Sequence, residues 1–231
     1  MRLRLAKSLA LAVLLLAGAA ARGQQRVSIL GDSYSTFSGH VTPASNLCWY
    51  TGEADPGRPN DVMQAEQTWW HLLVEELGYR LERNNSYSGS TVCLTGYRGQ
   101  DFGDRAFITR IHNLGDPDII LVFGGTNDCW AGSPLGEFRY EGWTHEDLLA
   151  FRPAFGYLLH QLGELYPRAR ICNITNSELS DGITESMEII CRRYGVRNVR
   201  LHDIDKQTGH PSAAGMRSIC EQVREALAEE K

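Results

Sequence analysis

Ile119-Ile120-Leu121-Val122-Phe123 is apolar at every position and too short for a membrane span. A strand with no polar alternation must be covered on both faces, which is the situation of a central strand in a parallel sheet. Further strand candidates are Val27 to Leu30, Arg80 to Asn84, Arg170 to Thr175 and Val196 to Leu201. Amphipathic helix candidates alternate with them at about 67–77, 104–113, 147–166 and 183–194, with a last one from Ser212 to Glu229. Pro153 marks a fresh helix start within the third of these, since proline is tolerated in a first turn and not in an interior. The alternation predicts a single-domain three-layer α/β/α sandwich with no linker or repeat. Two stretches, Ser38 to Gln64 and Asp128 to Thr144, are too long and too rich in Gly, Pro and aromatics to be plain connections. They are expected to be ordered loops walling one crevice.

Residues 1–23 read as a secretory signal peptide, with a basic start at Arg2, Arg4 and Lys7 and an apolar run from Leu9 to Ala20. Cleavage after Ala21 and cleavage after Gly23 fit equally well. Residues 24–231 then form the working domain, exported to the periplasm or the medium, with no later segment apolar enough to cross a membrane. Without Arg2, Arg4, Lys7 and Arg22 that domain carries 19 basic against 28 acidic residues, a net charge near −9. This balance disfavours nucleic acid and anionic lipid surfaces as partners. All six cysteines fall within it. Cys172, Cys191 and Cys220 lie in strand-like or helix-like runs and read as small buried hydrophobes. Cys48, Cys93 and Cys129 lie in loop-like segments and are the better disulfide candidates in an oxidising compartment.

Four segments carry chemistry. Gly31-Asp32-Ser33-Tyr34-Ser35 directly follows the first strand, where a serine on a tight turn can present its hydroxyl to the crevice at the carboxyl ends of the strands. Asn84 to Ser90 follows the second and holds Gly89, whose main-chain N–H can approach a ligand with no side chain in the way. Gly124-Gly125-Thr126-Asn127-Asp128 follows the fully apolar strand, with Asn127 as an amide donor. Gly209-His210-Pro211-Ser212 places a histidine just before the last helix.

In order and spacing these blocks resemble the SGNH (GDSL-type) hydrolases over essentially the whole domain. The resemblance implies a flavodoxin-like five-stranded parallel sheet and a serine esterase. Ser33 would be the nucleophile and His210 the general base and then acid. The N–H groups of Ser33 and Gly89 with the Asn127 amide would form the oxyanion hole. One departure stands out: family members usually carry an aspartate three residues before the histidine, and here that position is Gln207. Asp205 is the nearest substitute that could orient His210, and a main-chain carbonyl is the alternative.

No G-x-S-x-G, phosphate-binding or dinucleotide-binding glycine pattern occurs, nor a C-x-x-C or H-E-x-x-H spacing, so neither a cofactor nor a metal is expected. Trp49, Tyr50, Tyr97, Trp130, Tyr140 and Trp143 lie in the candidate loops and offer flat apolar area suited to a sugar ring or an acyl group. The expected substrate is a small-molecule or oligosaccharide ester, with removal of short acyl groups such as acetyl from carbohydrate. A lipolytic or thioester hydrolase and a non-catalytic carbohydrate-binding descendant are the alternatives.

Overall fold

The computed structural model describes residues 23–228. The expected signal peptide falls almost wholly outside them. Five strands, β1 (Arg26–Gly31), β2 (Arg80–Ser86), β3 (Ile119–Gly124), β4 (Arg170–Thr175) and β5 (Arg197–Arg200), form one parallel sheet in the order β2-β1-β3-β4-β5. This is the flavodoxin-like doubly wound order, in which the connections diverge between β1 and β3 and open a crevice beyond their carboxyl ends. The register there aligns Gly31 with Ser86 on one side and with Phe123 on the other.

Helices cover both faces. Helix α1 (Trp69–Leu77) and the last helix, α6 (Ala213–Ala228), pack Trp69, Leu73, Met216, Ile219 and Val223 against Ile29, Leu121 and Ile174. On the other face α2 (Phe107–Arg110), α4 (Phe151–Leu165) and α5 (Asp181–Tyr194) pack Phe107, Phe155, Leu158 and Ile190 against Leu30, Ile120 and Val122. Every residue of β3 is buried, as its unbroken apolar run requires. Helix α4 begins at Phe151 and carries Pro153 in its first turn, while a separate 3-10 turn covers Asp147–Leu149.

Two elements depart from the sequence expectation. The stretch read as a loop from Asp128 begins inside a short helix, α3 (Thr126–Ala131), closed at both ends by the left-handed Gly125 and Gly132. Six residues are too few for helical periodicity to show. A two-stranded hairpin, β6 (Lys206–Gln207) with β7 (His210–Pro211), precedes α6. No disulfide forms among the described residues, so the bridges expected at Cys48, Cys93 and Cys129 are absent. Cys93 is fully buried, and the Cys129 sulfur accepts a hydrogen bond from the Ser180 N–H at 3.3 Å.

Candidate active site

The turn after β1 is built by a buried aspartate. Gly31 sits so close to its neighbours that an added Cβ would lie 2.5 Å from Ser86 Oγ, so no larger residue fits. Asp32 is fully buried; its N–H donates to the Phe123 carbonyl at 3.2 Å and its Oδ1 accepts from the Tyr34 N–H at 3.0 Å. That cap starts the 3-10 turn Ser33–Ser35 and lifts Ser33 to the crevice floor. There Ser33 Oγ lies 2.9 Å from His210 Nε2, although 177 residues separate the two.

The histidine arrives on the β6–β7 hairpin. Gln207 pairs with His210, and the two residues between them, Thr208 and Gly209, both have positive φ (52° and 73°). A two-residue hairpin turn needs that conformation, and for the β-branched Thr208 it is strained. The turn brings the Thr208 carbonyl to 3.2 Å from His210 Nδ1. A carbonyl can only accept, so Nδ1 carries the proton and Nε2 is free to accept from Ser33. Asp205 does not orient the imidazole: its carboxylate accepts from Ser212 Oγ, and Ser212 Oγ in turn accepts from the Gly215 N–H at the start of α6. Asp205 therefore anchors a helix N-terminus. The structure realises the main-chain alternative, because the tight hairpin turns the chain back before a side chain upstream can reach Nδ1.

Gly89 adopts φ 81° in the turn after β2, and an added Cβ there would meet nothing within 4 Å. Among the described residues neither the Ser33 N–H nor the Gly89 N–H is engaged in a hydrogen bond. Asn127 stands in the first turn of α3, buried, with Nδ2 3.5 Å from Asp32 Oδ2. Its Oδ1 accepts from the Tyr97 hydroxyl at 2.7 Å, which fixes which end of the amide carries the NH₂ and leaves that group on the Asp32 side. No local pattern around Tyr97 could have announced this contact.

Buried charge holds the strand ends together. Arg110 is 8 % exposed, and it donates to the Gly31, Asn85 and Arg105 carbonyls and to Ser90 Oγ, tying the ends of β1 and β2 to the Gly89 turn. Burial lowers its pKa to about 9, opposed by the nearby Asp32. Burial likewise raises Asp32 to about 7, with the Tyr34 N–H opposing and Asp128 adding to the rise. Asp128 is raised to about 6 by burial, and its carboxylate accepts from the Val92 and Cys93 N–H groups at 2.8 and 3.2 Å. His210 moves the other way. Burial, with the nearby Arg58 and Lys206 charges, lowers its pKa to about 4 against the Thr208 hydrogen bond, so the imidazole is a neutral base at ordinary pH.

The candidate aromatics separate by environment. Tyr50 is buried, with its hydroxyl on the Pro211 carbonyl. Trp143 packs on Tyr157 and His160. Tyr140 stacks with Phe138 in a surface cleft of about 860 Å³ that neither Ser33 nor His210 lines. Trp49 stacks on His210 itself. Trp130 differs: it is 49 % exposed, with its ring 5.9 Å from that of His210.

A hydroxyl hydrogen-bonded to a neutral imidazole, beside unengaged N–H donors at the switch point of a parallel sheet, is equipped for acyl transfer. The chain belongs to the GDSL-like lipase/acylhydrolase family, whose sequence profile matches residues 25–227, and is an ester-hydrolysing enzyme. Two solved structures are similar over nearly their full length. A protein described as a GDSL-like lipase from Bacteroides uniformis is 65 % identical (TM-score 0.88, covering 90 % of this chain and 97 % of that one). One so described from Bacteroides ovatus is 50 % identical (TM-score 0.88, covering 90 % and 100 %). A family two carbohydrate esterase from Clostridium thermocellum, solved with cellohexaose, shares the fold at 15 % identity (TM-score 0.58, covering 89 % and 64 %). No curated protein sequence matches the chain.

Two outcomes follow from the buried charges. Asp128→Ala leaves the Val92 and Cys93 N–H groups without partners and is expected to cost about 2–4 kcal/mol of stability, read by urea unfolding. A base whose pKa lies near 4 stays neutral well below the usual histidine range, so the acid limb of kcat/KM is expected clearly below pH 6.5. A limb at 6.5 or above in a pH–rate profile would contradict the buried, neutral imidazole.

Proposed function

We propose that the protein is an exported serine esterase that removes short acyl groups, acetyl above all, from carbohydrate. The 2.9 Å contact between Ser33 Oγ and His210 Nε2 carries the reading. Ser33 attacks the ester carbonyl carbon while its proton passes to His210 Nε2. The carbonyl oxygen becomes an oxyanion facing the Ser33 and Gly89 N–H groups and the Asn127 amide. Each such donor is typically worth about 10²- to 10³-fold in kcat. Collapse breaks the bond to the alcohol, which leaves with the proton from His210, and Ser33 holds the acyl group. Water then attacks, gives a proton to His210, and the acid departs as Ser33 regains its hydrogen.

Geometry favours small acyl groups and a ring-shaped alcohol. Ser33 is 2 % exposed, so the approach to it is narrow. The alcohol leaves on the side of His210, since that imidazole protonates it, and the exposed Trp130 lies on that side. A flat, open indole there suits packing on a sugar ring. The carbohydrate esterases that share this fold support the same substrate class. Export rests on the amino-terminal residues, and the acidic balance agrees with a neutral or basic substrate rather than nucleic acid.

Hydrolysis of p-nitrophenyl acetate by the mature protein, beside Ser33→Ala and a long-chain p-nitrophenyl ester, tests the reading. Turnover should vanish in Ser33→Ala and fall with chain length; equal rates for both proteins, or a preference for the long chain, would overturn it. On acetylated oligosaccharide, Trp130→Ala should raise KM by about 3- to 10-fold, the worth of one aromatic contact, and leave kcat on p-nitrophenyl acetate nearly unchanged.

A further inference from the structure

His210 lacks the carboxylate that usually fixes the imidazole of a catalytic serine–histidine pair. One neutral carbonyl at 3.2 Å is a weaker restraint than a charge-assisted bond, and it leaves the ring free to rock about that bond. Something else must hold the plane of the ring. The imidazole lies flat on the Trp49 indole, with ring centroids 3.5 Å apart and planes within 6°. The Arg58 guanidinium is also over that indole, 4.8 Å from its centroid, held by Asp55 at 2.8 Å. Trp49 is thus committed to contacts within the protein and does not offer an open face to substrate.

The segment carrying Trp49 is strapped to the hairpin carrying His210. Tyr50 and Asn60 donate to the Pro211 carbonyl at 2.9 and 3.1 Å, and Thr208 Oγ1 donates to the Pro59 carbonyl at 2.9 Å. Asp61 Oδ1 accepts from the Ala213 N–H at 2.8 Å. Three of these contacts hold the hairpin on both sides of His210, and the fourth holds the first residue of α6. This explains why the stretch from Ser38 to Gln64 is long and ordered.

We propose that Trp49 is a positioning residue standing in for the absent carboxylate, its indole face holding the His210 imidazole in the plane that keeps Nε2 on Ser33. The inference rests on the esterase reading above. The indole also meets the charge that appears when His210 takes the proton. An aromatic face attracts a cation, whereas a fixed carboxylate is unavailable here. The charged or titratable groups around the imidazole are Arg58 from the strap, Lys206 from β6, and the Tyr34 and Tyr50 hydroxyl-bearing rings. Both cations oppose protonation, so the Thr208 carbonyl and the indole face are the favourable partners of the imidazolium.

The test measures kcat and KM for p-nitrophenyl acetate from pH 4 to 8 in Trp49→Leu, Trp49→Phe and Arg58→Gln, with Ser33→Ala as reference and melting temperatures for all. Trp49→Leu, which keeps an apolar side chain and loses the flat aromatic face, should lower kcat by about 10- to 100-fold, part of what a well-placed general base contributes. KM should stay within about twofold and the acid limb should move further down, away from pH 6.5, as the imidazolium loses its aromatic partner, whereas Trp49→Phe should recover most of kcat. Arg58→Gln, at an exposed side chain that does not depend on Trp49→Leu folding, should shift the acid limb the other way, upward, because a cation that opposes protonation is removed. Unchanged kcat and pH profile in Trp49→Leu, a loss confined to KM, Phe no better than Leu, or no shift in Arg58→Gln would each overturn the inference. Full turnover by Ser33→Ala would instead sink the esterase reading beneath it.

Discussion

Burial of the β1 terminus is the constraint on which this structure depends. The sheet is covered on both faces, so the chain leaves it at Gly31 among groups already removed from water, and every polar atom there needs a partner. Arg110 supplies most of them, bonding main-chain carbonyls of β1 and β2 without an ion pair on its own guanidinium. Asp32 and Asp128 supply the rest by accepting main-chain N–H bonds. Buried charges satisfied in this way fix geometry more than they add stability, since burial costs each of them heavily. The return is a serine hydroxyl and two main-chain N–H groups held beyond the ends of two adjacent strands.

The histidine side is organised on a different principle. No element of the sheet carries His210; a hairpin with a strained left-handed threonine does. Strain of this kind persists only where the surroundings enforce it. Here the enforcement comes from the strap and from the tyrosines on either side, with the Tyr34 hydroxyl on the Gly209 carbonyl at 2.7 Å and Tyr50 on Pro211. The same turn supplies the carbonyl that sets the imidazole tautomer. Loss of a carboxylate and gain of a tight, strapped hairpin are therefore two aspects of one arrangement.

Strand positions were legible because burial on both faces leaves unbroken apolar runs, and β1, β3 and β4 match their expected spans to within a residue. The blocks bearing Ser33, Gly89, Asn127 and His210 were legible because each follows a strand or precedes a helix. What escaped has physical reasons. The orienting group for His210 depends on the turn type at Thr208-Gly209, so a count of residues upstream left Asp205 and a main-chain carbonyl as open alternatives. The Trp49 stack joins positions 161 residues apart, and Tyr97 reaches Asn127 from a 3-10 turn with no periodic signature. Cysteine count suggested bridges, yet spacing in the chain carries no information on Cβ separation, and all three loop-like cysteines are free thiols.

Two features bear most directly on what reaches the site: the near-complete burial of Ser33 and the open indole of Trp130 beside the imidazole. On the proposed reading the first limits the acyl group and the second offers a surface to the alcohol, which would divide specificity across the scissile bond. In the proposed reaction Ser33 Oγ is the atom that attacks and His210 Nε2 activates it. Mass-spectrometric mapping of the adduct formed with a small fluorophosphonate tests that pairing without assuming any substrate. The account predicts a single adduct on the peptide containing Ser33, formed at a rate that collapses in His210→Ala. Labelling at another residue, or an undiminished rate without the imidazole, would contradict it.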